Sequence, residues 1–127
     1  MLTHMLDICH EGSTAEPSGQ VQRLAGQLCI SGVALGELYV GVEKFERRAE
    51  NLQALEGFTA RLAVLPFDDR AALHFGQLRW ELERNRTVCG AYDMQIGAHA
   101  RSEALILVTN NMREFARMPG LRTENWL

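Results

Sequence analysis

Short apolar runs alternate along the chain with stretches whose apolar residues recur every three or four positions. Four runs read as strands: Leu2 to Leu6, ending at Asp7; Leu28 to Ile30, within "LCIS"; "AVLPF" at 63–67, closed by Pro66; and Leu105 to Val108. The intervening segments read as helices. Val21 to Ala25 forms a short one. Val33 to Phe45 is apolar almost all round, the pattern of a buried helix, and Ser31 is placed to cap it. Arg47 to Leu62 sets Leu52, Leu55, Phe58 and Leu62 at helical spacing. Asp68 caps a long helix with Ala72, Phe75, Leu78 and Leu82 on one stripe, and a further helix runs from Tyr92 to Ser102. "LRTENWL" follows a Pro119-Gly120 turn as a last strand or extended tail. Residues 8–20, rich in Gly, Ser and Pro, read as an atypical loop. Strands alternating with helices predict an α/β fold whose parallel sheet is covered on both faces.

Composition narrows this picture. The 127 residues suit one domain over 1–127, with no linker or repeat to divide it. No apolar run approaches the ~20 residues needed to span a bilayer. The start, "MLTHMLDICHEG", has no Lys or Arg and too short an apolar stretch for a secretion signal, so the expected compartment is the cytoplasm. Three Cys and four His show neither Cys-x-x-Cys spacing nor a His pair four apart, which argues against zinc. Cys29 reads as a small core residue. The net charge of −3 gives no global attraction for nucleic acid, although all thirteen basic residues except Lys44 are Arg.

The acids carry more information. In a parallel α/β fold, sites form beyond the carboxyl ends of the strands. Asp7 ends the first strand, Glu37 lies under two helical turns after Ser31, Asp93 opens the helix that leads to the fourth strand, and Asn111 and Glu114 follow that strand. All fall at one edge of the sheet. Steps of three and four from Glu37 reach Val33, Ala34, Val40 and Gly41, and from Asp93 they reach Ile96, Gly97 and Ala100. A carboxylate on a packed face is costly unless it is paired or binds a cation. The alternatives are local: Asp93 at the positive end of its helix, and Glu37 against a buried Arg. Taken together, the acids call for a multivalent ion, and oxygen-only ligands suit Mg²⁺ or Mn²⁺. Such ions serve phosphodiester cleavage. No Gly-rich phosphate loop ending in Lys is present.

"CISGVALGELYVGVEKF", "LPFDDRAALHFGQLRWELER", "YDMQIGAHA" and "LILVTNNMREFARMPGLRTENW" closely resemble the PIN-domain toxins of the VapC type, over about Leu28 to Leu127. "HMLD" resembles that family's first strand and first catalytic Asp. The resemblance implies a PIN-like three-layer α/β/α sandwich with a central, mainly parallel sheet. It further implies a Mg²⁺- or Mn²⁺-dependent endoribonuclease acting on tRNA, notably the anticodon loop of the initiator, a VapB-type antitoxin as partner, and a homodimer within the toxin–antitoxin assembly.

By the same resemblance Asp7, Glu37 and Asp93 are catalytic and metal-binding, Glu37 acting directly or through water. Glu114 is the fourth acid, because Asn111 stands where many PIN domains have Asp. Thr109, Asn111 and Ser31 support the site. Lys44, Arg79, Arg84 and Arg86 are candidate contacts to RNA phosphate, against the plainer reading of a solvated helix face. Trp80, Trp126, Tyr39 and Tyr92 read as packing residues. The family continues its first Asp with Thr-Asn, whereas here Ile8-Cys9-His10 follow. That departure supports a second reading, a degenerate PIN domain that binds antitoxin or RNA without cutting. A third is an unrelated Rossmann-like domain whose acids serve as caps and ion pairs.

Overall fold

The computed structural model describes residues 1–7 and 19–126. Five strands, β1 (His4–Asp7), β2 (Leu28–Ser31), β3 (Ala63–Leu65), β4 (Ile106–Thr109) and β5 (Thr123–Glu124), form one sheet in the order β3-β2-β1-β4-β5, with every pairing parallel. The helices between them are α1 (Gly19–Arg23), α2 (Gly32–Lys44), α3 (Arg48–Thr59), α4 (Asp69–Arg84), α5 (Ala91–Ser102) and α6 (Met112–Phe115).

Side chains alternate across a strand, and the two faces of the sheet sort accordingly. Met5, Cys29 and Leu107 enter a large core with Leu78 and Leu82 of α4 and Ile96, Ala98 and Ala100 of α5. Leu6, Leu28 and Val108 face the other way, against Val21, Leu24, Phe58, Leu62 and Trp126. Three layers result, as expected. By the same alternation Asp7, Ser31 and Thr109, each two residues beyond a member of the larger core, point to the α5 side.

Local chemistry places the helix starts. Ser31 Oγ accepts the Val33 N–H at 3.1 Å, and Asp68 Oδ1 accepts the Ala71 N–H at 2.9 Å, so both expected caps form. The Pro119-Gly120 turn uses a positive φ of 77° at Gly120. Arg101 closes the turn by donating from Nη1 to the Pro119 carbonyl at 2.9 Å.

Several expectations need correction. Residues 8–18 of the expected loop lie outside the described residues, but Gly19 and Gln20 begin α1. α2 is not a buried helix: Ala34 and Val42 are buried, whereas Tyr39, Val40 and Phe45 face outward. It packs against α3, α5 and strands β2 and β3. The core stripe of α4 uses Ala71 rather than Ala72, which is exposed, so the spacing runs 71, 75, 78, 82. Trp80, Tyr39 and Tyr92 are exposed rather than packed; Trp80 lies opposite the α4 stripe and is 62% exposed. Trp126 does pack, on the Leu6–Leu28–Val108 face and on the His4 ring at 5.4 Å. The segment after Asn111 winds into α6 rather than ending as a simple turn.

Candidate active site

The carboxyl ends of β1, β2 and β4 lie side by side, because Asp7 pairs in register with Thr109 and Leu6 with Ile30. Asp7 is buried, and its Oδ2 accepts the Thr109 hydroxyl at 2.9 Å. The Thr109 oxygen in turn accepts the Asn111 N–H at 3.0 Å. Asn111 Nδ2 reaches toward Asp93 Oδ2 at 3.5 Å, the outer limit of a hydrogen bond. One polar chain therefore runs from β1 through the end of β4 to the first turn of α5.

Asp93 records its neighbours in its proton affinity. Partial burial pushes its carboxyl up, the negative charges of Asp7, Glu114 and Glu37 push it further, and the result is about 6. The backbone carbonyl of Glu114 accepts the Cys89 thiol at 3.5 Å, which holds α6 against the segment entering α5. Burial, with help from Glu114, raises the Cys89 thiol as well, so it is a poor nucleophile. The Asp93 carboxylate lies against Gly90, where an added Cβ would touch Oδ2 at 3.7 Å.

Among the described residues no three His, Cys, Asp or Glu side chains already close into a metal cluster. Asp7, Glu37 and Glu114 instead lie near enough to Asp93 for their charges to act on it. This donor set fits a hard divalent ion that keeps most of its own water and takes only one or two carboxylates directly. It does not fit zinc.

The other expected residues separate into two groups. Ser31 is fully buried, and its Oγ lies 2.8 Å from Nδ1 of His99, so its hydroxyl is engaged with α5. The sequence reading leaves His99 unassigned. It is completely buried, desolvation lowers its proton affinity, and its Nε2 has no hydrogen-bond partner among the described residues. A His inside the small-residue run "IGAHA", six positions after Asp93, is the only signal that pointed to it. Arg70 Nη2 donates to the Ser102 carbonyl at 3.2 Å and Arg101 Nε meets His74 Nδ1 at 3.0 Å, so α4 runs antiparallel to α5. The last turn of α4, with Arg84, then comes beside the first turn of α5, and Arg86 follows it. Arg79 is one to two turns back and pairs with Glu83 at 3.7 Å on exposed surface. Lys44 lies in the last turn of α2, about 10 Å along the helix beyond Glu37 at ~1.5 Å per residue.

Comparison with known proteins gives a consistent result. The family model described as PIN domain matches residues 11–121. A tRNA(fMet)-specific endonuclease VapC of Shigella flexneri is 47% identical over 99% of this chain and 99% of its own length. A protein of the same description from Salmonella typhimurium is 50% identical over 79% of this chain and 76% of its own. Among solved structures, DNA-bound VapBC from Salmonella typhimurium matches with a TM-score of 0.94 at 42% identity, covering all of both chains. VapBC2 from Rickettsia felis, bound to a promoter DNA fragment, gives 0.91 at 34% identity over 99% of this chain and all of that one.

Proposed function

Because the chain belongs to the PIN-domain family and, within it, to the VapC ribonucleases of toxin–antitoxin systems, we propose that it is a Mg²⁺- or Mn²⁺-dependent endoribonuclease whose substrate is tRNA, the initiator tRNA by likeness to its relatives. The observation that carries this reading is the Asp93 carboxyl, pushed up to about 6 by burial and by three further carboxylates at the same sheet edge. Such an arrangement is costly without a cation and useful with one.

PIN-domain nucleases generally use a divalent metal, and here Asp7 and Asp93 would hold it, with Glu37 reaching it directly or through water. When bound, the ion supplies a lowered proton affinity for attacking water and a counter-charge for the leaving oxygen. The remaining roles belong to the chain. Thr109 donates to Asp7 Oδ2 and so aims that carboxylate. Asn111 orients Asp93, and Glu114 provides the fourth negative group beside it. Arg84 and Arg86 meet substrate phosphate from the end of α4.

The partner in this reading is a VapB-type antitoxin, in a hetero-oligomer that includes a toxin homodimer. The outward apolar side chains of α2, Tyr39 and Val40, with Phe45 just past its end, supply the kind of surface that such a partner covers. No helix among the described residues is long and apolar enough to cross a membrane.

The test is cleavage of a purified tRNA pool with Mg²⁺ or Mn²⁺, with EDTA, and with Asp93→Asn protein. Discrete fragments from the wild type alone are expected, with the variant slower by at least about a hundredfold. Intact RNA, in a buffer where a control nuclease works, transfers the chain to the second reading: a PIN domain that binds antitoxin or RNA without cutting, as the loss of Thr-Asn after Asp7 allows.

A further inference from the structure

The buried pair Ser31–His99 is not used by the reaction as described, and its chemistry is unusual. Ser31 Oγ already accepts the Val33 N–H at 3.1 Å. If its own hydrogen points to His99 Nδ1, 2.8 Å away, the imidazole carries its proton on Nε2 and one buried N–H is left over. The opposite tautomer leaves two groups unsatisfied, the serine hydrogen and the Nε2 lone pair. The first arrangement is therefore the stable one. Even so, an unpaired buried donor costs about 1–3 kcal/mol. Edge contact with Phe67, at 5.5 Å between centroids and 78° between planes, offers only the weak interaction of an N–H with a ring. Leucine would fill the same volume and exchange that orphan for another, the Ser31 hydrogen.

What the imidazole gains is a link between elements. Ser31 ends β2 and caps α2, which carries Glu37 six residues later, and His99 sits six residues after Asp93 on α5. The pair is a side-chain hydrogen bond that joins the start of α2 to α5. We infer that His99 is a positioning residue: through Ser31 it fixes the start of α2 against α5 and so sets the separation of the Glu37 and Asp93 carboxylates. The inference rests on the nuclease reading above.

The experiment compares His99→Leu, His99→Asn and Ser31→Ala with wild type, measuring thermal midpoint, kcat and KM on tRNA, and Mn²⁺ affinity by calorimetry. Asparagine places an amide near the position of Nδ1 and keeps the bond to Ser31. His99→Leu is expected to keep a near-wild-type midpoint while losing about ten- to a hundredfold in kcat and in Mn²⁺ affinity, the usual effect of an outer support to a metal ligand, with KM for RNA little changed. His99→Asn recovers most of both losses. Should the leucine variant fail to fold, Ser31→Ala reads the same kcat and Mn²⁺ losses. Wild-type kcat and Mn²⁺ affinity in His99→Leu overturn the inference, as does equal impairment in the Asn and Leu variants, which would make the ring's bulk the determinant. A wild type that neither cleaves RNA nor binds Mn²⁺ defeats the nuclease reading and the inference with it.

Discussion

A carboxyl that holds its proton to about pH 6 works against the folded state at neutral pH, and Asp93 is such a group. Below the ordinary value of 3.8 both folded and unfolded chains are protonated there and the group is neutral to stability. Between 3.8 and about 6 the unfolded chain ionises and the folded one resists, so stability falls as pH rises. Above that window the loss is complete and level. A divalent ion among Asp7, Glu37, Asp93 and Glu114 favours the ionised form and reverses the effect. Saturating Mn²⁺, at about a hundred times its Kd, should therefore add roughly 2.7 kcal/mol, several degrees of melting midpoint. The expected rise is large at about pH 7.5 and much smaller at about pH 5, where Asp93 keeps its proton. Asp93→Asn should raise the metal-free midpoint at the higher pH and lose most of the ion-induced gain. Equal gains at both pH values would show that Asp93 is not where the ion binds.

At the scale of elements, legibility followed how completely an element's surroundings are determined by its own sequence. β1, β2 and β4 were readable because a strand buried on both faces must be apolar throughout. The helix starts at Ser31 and Asp68 were readable because capping is local chemistry. The site acids stood out through the packed residues around Asp93 and the strand ends beside Asp7 and Glu114. α2 was misread for the opposite reason: an outward face bearing Tyr39, Val40 and Phe45 has the same composition as an inward one. α6 was missed because four residues carry no period. His99 was missed because its meaning depends on Ser31, sixty-eight positions away. The local part is open to direct test. Asp68 Oδ1 holds the first turn of α4 at the end remote from Asp93. Asp68→Ala should cost about 1 kcal/mol and lower the melting midpoint by a few degrees, with tRNA cleavage at a saturating ion unchanged. A comparable loss of cleavage would mean that the α4–α5 packing transmits strain to the acids.

The whole molecule poses an electrostatic problem, since a chain of net charge −3 with four clustered acids has to approach a polyanion. Global attraction is absent, so binding has to come from cations at the rim of the acidic edge. The antiparallel course of α4 and α5 selects them: it turns the Arg84 end of α4 toward the end of α5 that carries Asp93, while Lys44 sits at the far end of α2 and Arg79 is engaged with Glu83. Arg86 also adopts a positive φ of 56°, a conformation that favours glycine, so replacing it there relieves backbone strain. Each phosphate contact releases condensed counterions, with a slope of about −0.7 per contact for single-stranded nucleic acid. The double variant Arg84→Ala, Arg86→Gly should raise KM for tRNA about tenfold or more at moderate salt, leave kcat within about threefold, and flatten the salt dependence of kcat/KM by about 1.4 in slope. The melting midpoint should hold or rise. Lys44→Ala, the control, should change none of these values. If instead Lys44→Ala weakens RNA binding and the arginine variant does not, the substrate crosses α2, and the rim of the site lies on the opposite side of Glu37 from the one the α4–α5 pairing selects.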